Sequence, residues 1–304
     1  MQTVAQEKFK PVVKQSDGER VVRPSVSYWA DAWRRLKKNK LAMVGLFMLC
    51  LMAILAIIGP WIQPYDYQTQ DYNARNLSLS GQHWFGTDDL GRDLWVRVWW
   101  GARISLFIGI IAAFLDFVIG VLYGGISAYF GGRIDDIMQR IVEIIIGIPF
   151  LILAILLIMV MGSGIFTIIL AMSATGWTGM ARLVRGQVLS LKEQEYVLAA
   201  RTLGASPWRI ILRHLIPNAI GIIIVNITFT VPGAIFAESF LSFIGLGIKP
   251  PLASLGSLVN DGVSVMRNFP WRLLCPSFVF SMIMLSFYML GDGLRDALDP
   301  RLRK

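Results

Sequence analysis

Only two cysteines and two histidines occur in 304 residues. Cys50 and Cys275 each sit inside an apolar run, which excludes a disulfide framework or a zinc site. Charge is scarce as well: 16% of residues are charged and 55% hydrophobic, with a mean hydropathy of +0.58. A soluble globular chain carries about a quarter charged residues. The sequence also lacks a Walker A glycine loop, an HExxH, a GxSxG and paired histidines, so no catalytic role and no cofactor bound by this chain is expected. The first forty residues are polar and basic, so no cleavable signal peptide is expected. The net charge of +9 does not indicate nucleic acid, because the basic residues flank apolar runs and form no stripe.

What the chain does have is apolar length. Residues 1–26 are polar, without apolar periodicity, and are expected to form a flexible tail. Over 27–40, Trp29, Trp33 and Leu36 fall at helical spacing against Arg34, Arg35, Lys37, Lys38 and Lys40, the pattern of a helix lying in a lipid interface. Six runs then predict an all-α integral membrane protein with six transmembrane helices: Leu41–Ile62, Ile104–Tyr129, Ile144–Met161, Ile165–Ala181, Ala219–Ala237 and Leu273–Leu290. A loop over 63–103 separates the first span from a core over 104–304. Asp116 is the one charge near the middle of a span. Its insertion cost of about 2.5 to 3.5 kcal/mol is offset by more than a dozen strongly apolar neighbours, and it is either a functional carboxylate or one facing another helix. Glu143 and Glu238 fall near span ends, where interfacial solvation accounts for them. Pro149, Pro232 and Pro276 interrupt spans and are able to kink them, either for packing or to shape the pathway.

With the N-terminus inside, the inner segments hold 22 of the 29 Lys and Arg; without residues 1–20 the balance is still 18 against 7. Both termini are therefore expected in the cytoplasm, with Trp61, Trp95, Trp99, Trp100 and Trp271 forming an aromatic belt at the outer interface. In the outer loop His83, Asp88, Asp89 and Asp93 match neither an EF-hand nor a zinc spacing, and a Gly-Thr-Asp-Asp turn explains them. The inner segment Phe130–Val142 reads as a solvated turn, with a minor contact to a partner protein as the alternative.

One inner segment stands apart, SLKEQEYVLAARTLGASPWRIILRHLIPN from Ser190 to Asn218. Ser190 and Glu193 have capping-box spacing, so a short helix is expected from Leu191 through Arg201. Gly204 is placed to stop it in the left-handed conformation. Ser206 and Pro207 are placed to start a second helix that ends near Pro217. Such a corner suits insertion into a groove on a soluble partner; pattern alone permits an ordinary amphipathic loop equally well.

The stretch resembles the cytoplasmic signature loop of ABC-importer permeases, with Leu198, Ala199 and Ala200 where Glu-Ala-Ala would stand, Gly204 in register, and Ile216 and Pro217 closing the pattern. Leu198 departs from the family's Glu, which Glu195 one turn earlier partly replaces, and His214 stands for the usual aliphatic residue. HWFGTDDLGRDLWVRVWWGARISL (His83–Leu106), SFLSFIGLG (Ser239–Gly247) and GDGLRDALDPRL (Gly291–Leu302) resemble the second permease subunit of oligopeptide, dipeptide and nickel importers, the oligopeptide branch most. The resemblance implies the type I ABC-importer (MetI-like) permease fold in a bacterial cell membrane. It also implies a heterodimer with a second, homologous permease subunit, two ATPase subunits that hold ATP and Mg, and an extracytoplasmic peptide-binding protein. Glu195, Leu198, Ala199, Ala200, Arg201, Gly204 and Ala205 would then couple the chain to the ATPase, with Phe130–Val142 free to add a minor second contact. A proton-driven secondary transporter using Asp116, or a membrane scaffold that moves nothing, are the rival classes.

Overall fold

A computed structural model describes residues 27–298, whose regular secondary structure is helical. Expectations that fall on residues 1–26 or 299–304, the flexible tail among them, lie outside the described residues. The helices are α1 (Tyr28–Lys38), α2 (Lys40–Ile62), α3 (Leu94–Phe130), α4 (Gly132–Ile146), α5 (Phe150–Met161), α6 (Ile165–Leu191), α7 (Glu195–Thr202), α8 (Pro207–Ile210), α9 (Ile216–Phe243), α10 (Leu255–Val265) and α11 (Trp271–Leu298). In α1, Ala32 and Leu36 are buried, Leu36 among residues of α2 and α11, while Trp29 and Trp33 stay exposed.

Among the described residues four helices, α2, α3, α11 and the continuous 207–243 stretch, are long and apolar enough to cross a membrane. They are five if α4 and α5 count as one broken span. α6 has the length, 27 residues or ~40 Å. It is diluted by Thr167, Ser173, Thr175, Thr178, Arg182 and Arg185.

Three boundaries depart from the sequence expectation. α3 starts ten residues early, at Leu94, because the Asp93 carboxylate caps it by accepting from the Val96 N–H at 2.9 Å. Its two early arginines, which break the apolar pattern, find partners within the chain: Arg97 forms an ion pair with Asp88 at 3.4 Å, and Arg103 donates to the Ala56 and Ile57 carbonyls of α2 at 2.9 and 2.8 Å. The span expected over 144–161 is two helices bent by 78°, since Pro149 lacks the N–H needed to continue a helix. The turn expected over 130–142 is instead mostly the amphipathic α4, with Gly131 as its N-cap and Gly132 as its first residue at φ +64° and +51°. Its Asp135 takes a two-pronged hydrogen bond from Arg185 of α6, at 2.7 and 2.5 Å, and a further one from Ser127. Pro232 and Pro276, by contrast, lie buried inside continuous helices.

α3 is the central post. It lies along α6 at Gly120 and Gly124, where an added Cβ would stand 2.6 Å from Met180 Cβ and 2.3 Å from the Ala181 carbonyl oxygen. This small-xxx-small spacing lets two backbones touch where lipid offers no hydrophobic drive. Gly124→Val is therefore expected to cost about 1 to 3 kcal/mol by overpacking, read as a lower thermal midpoint of the purified protein. An unchanged midpoint would refute the contact.

Candidate functional site

The bundle has two differently built ends. At one, Trp95 donates to the Gly59 carbonyl at 2.9 Å and packs edge-on to Trp84, Phe85 and Trp99. Tyr67 stacks on Trp100, and Arg103 lies 4.5 Å over the Trp100 ring. Of the five tryptophans expected to form an interfacial belt, Trp99 is instead core, wedged against Gly59, while Trp61 is exposed. Three carboxylates of the 63–93 loop are taken up by basic partners. Asp93 accepts from His83 at 2.8 Å, Asp88 from Arg92 at 2.7 Å, and Asp89 from Arg272 at 3.1 Å. Asp261 of α10 faces the same arginines; burial raises its carboxyl above the usual range, opposed by the charges of Arg97 and Arg272.

The other end carries the signature segment. α6 does not stop at Ser190 but runs to Leu191, because Val184 and Val188 are still packed in the core beside α3 and Lys192 then donates to the Ala128 carbonyl at 3.1 Å. The capping box expected at Ser190 and Glu193 is therefore not formed. α7 begins after Gln194, whose side chain makes no cap bond. Its end matches expectation: Gly204 has φ +80°, with Ala205 N–H donating to the Ala200 carbonyl and Gly204 N–H to that of Arg201, both at 3.0 Å. These are the paired bonds of a Schellman stop, which favours glycine at the left-handed position. Ser206 caps α8 by accepting from the Arg209 N–H at 3.4 Å, with Pro207 as its first residue.

The second helix does not end near Pro217. It continues through a π-turn, Ile211–Leu215, into α9. The wider turn, with Ile216 N–H donating to the Ile211 carbonyl, accommodates a proline that has no N–H to give.

Among the seven residues expected to couple, Glu195, Leu198, Ala199, Arg201 and Gly204 are exposed; Ala200 and Ala205 are half-buried. The Arg201 guanidinium lies 5.6 Å over the Tyr129 ring at the end of α3. Around Gly204 an added Cβ would meet nothing within 4 Å. Leu198, Leu203, Trp208 and Leu212 are large apolar side chains left in the open, Leu203 at 87% exposure. The residue missed by sequence reading is Val197. It is fully buried, in one apolar cluster with Ala128 of α3, Val184 of α6 and Ile210 and Leu215 of the 207–243 stretch. Its apolar neighbours in the sequence, Tyr196 and Leu198, look equally buriable, so only the packing singles it out.

Asp116 is buried at the middle of α3 beside Gly176 of α6. Glu238 is a correction. It is not solvated at an interface but fully buried, accepting from Ser105 at 2.9 Å, Ser242 at 2.8 Å and Ser239 at 3.4 Å.

The model of the binding-protein-dependent transport system inner membrane component matches residues 105–304. A second, the N-terminal TM domain of oligopeptide transport permease C, matches residues 27–78. The chain belongs to this permease family. Among permeases of the family, the dipeptide transport system permease protein DppC of Bacillus subtilis (strain 168) is 56% identical over 292 residues, covering 96% of this chain and 91% of that one. The oligopeptide transport system permease protein OppC of the same organism is 51% identical over the full length of both. That of Escherichia coli (strain K12) is 43% identical, covering 91% of this chain and 92% of that one. In three dimensions a permease fold recurs in the inward-facing MetNI methionine ABC transporter, at a TM-score of 0.54 and 20% identity, over 66% of this chain and 94% of that one. The type I importer permease fold is thus shared, and the signature segment falls within the matched core.

Proposed function

We propose that this chain is one of two permease subunits of a peptide-importing ABC transporter in a bacterial cell membrane, lining half of the translocation path. Two partner ATPase subunits hold ATP and Mg, and an extracytoplasmic binding protein delivers the cargo. Its basic ends face the cytoplasm, in keeping with the distribution of Lys and Arg. The observation that carries the reading is the exposed apolar tip of α7 and α8, with Leu203 almost wholly in the open. A leucine held out by a rigid Schellman corner has no use in water and fits a cleft on a partner.

The path for force follows from the anchors. α7 rests on Val197, α6 is tied to α3 through Lys192, and α8 runs without a break into α9. Closure of the ATPases would displace the tip and, through these rigid elements, tilt α3, α6 and α9 between inward-open and outward-open states. Both oligopeptide and dipeptide permeases are close relatives, and oligopeptides are the cargo favoured by the sequence motifs.

In proteoliposomes holding the whole complex, uptake of radiolabelled tripeptide is expected to require ATP and to survive an uncoupler. Uptake that persists without ATP and collapses with an uncoupler would replace this reading with proton coupling; no flux at all would leave a scaffold.

A further inference from the structure

The chain treats two of its buried carboxylates, Glu238 and Asp116, in opposite ways. Around Glu238 three serines donate to the carboxylate, and the shell continues through Ser254 to Ser242 at 3.1 Å and from the Leu255 N–H to Ser105 at 3.2 Å. Asp116 receives nothing comparable. It is 5% exposed, its Oδ1 has no hydrogen-bond partner, and none of the ion pairs among the described residues includes it. A buried carboxylate left alone costs several kcal/mol, so a site of this kind gains from any cation that reaches it.

Access is built in. Asp116 lines a cavity of about 280 Å³ between α3, α5, α6 and α9, together with Thr175, Gly176, Thr230 and Gly233. Gly176 is the window: a Cβ there would stand 2.2 Å from Asp116 Oδ2, so only glycine leaves the carboxylate its place. Gly176 and Gly233 are exposed and carry no bulk, so the carboxylate is reached past them, beside the hydroxyls of Thr175 and Thr230 and the apolar Phe150 and Met172. Elsewhere on α3 the exposed positions are Phe107, Ile110, Phe114, Ile119, Leu122 and Phe130, side chains suited to lipid.

We propose that Asp116 is a transient subsite for a cationic nitrogen of the cargo, an ammonium group passing along the wall formed by α6 and α9. The inference rests on the peptide-import reading and adds what part of the peptide this subunit holds. Asp116 supplies the charge, and Gly176 the opening. The ammonium is either the amino terminus of the peptide or a lysyl side chain.

The test is a footprint on the assembled, purified complex. Dicyclohexylcarbodiimide partitions into apolar regions and modifies carboxyl groups there, and mass spectrometry locates the adduct on Asp116, with Asp116→Asn as the assignment control. Labelling is expected at Asp116 and not at Glu238, and a peptide cation is expected to slow it about tenfold, the effect of one charge-assisted hydrogen bond. Protection by both Ala-Ala-Ala and Ala-Lys-Ala assigns the amino terminus; protection by Ala-Lys-Ala alone assigns the lysyl side chain. Equal protection by an N-acetylated, C-amidated trialanine, or no protection by any peptide, overturns the proposal. Absence of labelling overturns it too, since a partner subunit would then be covering the carboxylate. ATP-dependent uptake by the same preparation reports on the import function separately, so loss of one reading is distinguishable from loss of the other.

Discussion

An importer carrying Leu203→Asp is expected to lose cargo uptake by at least about tenfold, while the chain remains folded and in the membrane. The side chain is 87% exposed and packs on nothing, so the exchange by itself changes stability by no more than about 0.5 kcal/mol. A carboxylate pressed into an apolar cleft is a different matter. Burying it unpaired costs several kcal/mol, more than the tip can recover from its other contacts. Ala200→Asp and Gly204→Trp act on the same surface and are expected to abolish uptake too. Gly204→Ala is the informative control: it adds the backbone strain of φ +80°, about 1 kcal/mol, without bulk, into space that is empty in this chain alone. Uptake is expected to survive it in large part. The checks are ATP-driven peptide uptake in proteoliposomes and copurification of the ATPase subunits. Full uptake by Leu203→Asp and Gly204→Trp would mean that the tip docks nowhere.

The second large effect is on stability. Glu238→Ala removes the acceptor at the centre of a shell that joins α3, α9 and the start of α10. Ser105 and Ser242 lose their partner, and the Leu255 N–H keeps a bond only to a serine that is no longer held. Orphaned buried hydroxyls together with a side-chain-sized void imply about 3 kcal/mol of destabilisation. Glu238→Gln keeps an acceptor oxygen and is expected to cost about 1 kcal/mol. Thermal midpoints of the purified protein rank the two, and hydrogen exchange over 252–258 reports whether α10 comes loose before the rest. If the alanine variant melts with the parent, the shell is not what holds α10.

The two carboxylates illustrate how far sequence reading reaches. Asp116 stands out in the sequence because it interrupts an apolar run, and it is indeed buried. Glu238 lies at the end of a run, and the hydroxyls that satisfy it come from Ser105, 133 positions away, and from Ser242 one turn along. No local pattern announces such a cage. Asp135 is similar: read as a surface charge in a turn, it is held by Arg185 across 50 positions. The start of α3 was obscured by Arg97 and Arg103, whose charges look solvent-bound until Asp88 and the carbonyls of α2 are seen beside them.

Within the signature segment the division is equally clear. Gly204, Ser206 and Pro207 act through backbone geometry, which is a property of the residue itself, and all three stand where their chemistry places them. The Ser190 cap and the stop at Pro217 fail because each depends on whether the neighbouring helix is free to end. α6 is still packed through Val188, and a π-turn carries α8 past Pro217.

By itself, then, the amino-acid order determined a helical membrane permease, the position of its corner and the one carboxylate in mid-membrane. Hydropathy, glycine and proline geometry, and lone charges act over a few residues. Tertiary structure alone decided that Val197 anchors the corner, that Glu238 is sealed and that Asp116 is left open. Those outcomes turn on which distant side chain arrives within about 3 Å, a distance that no local pattern encodes.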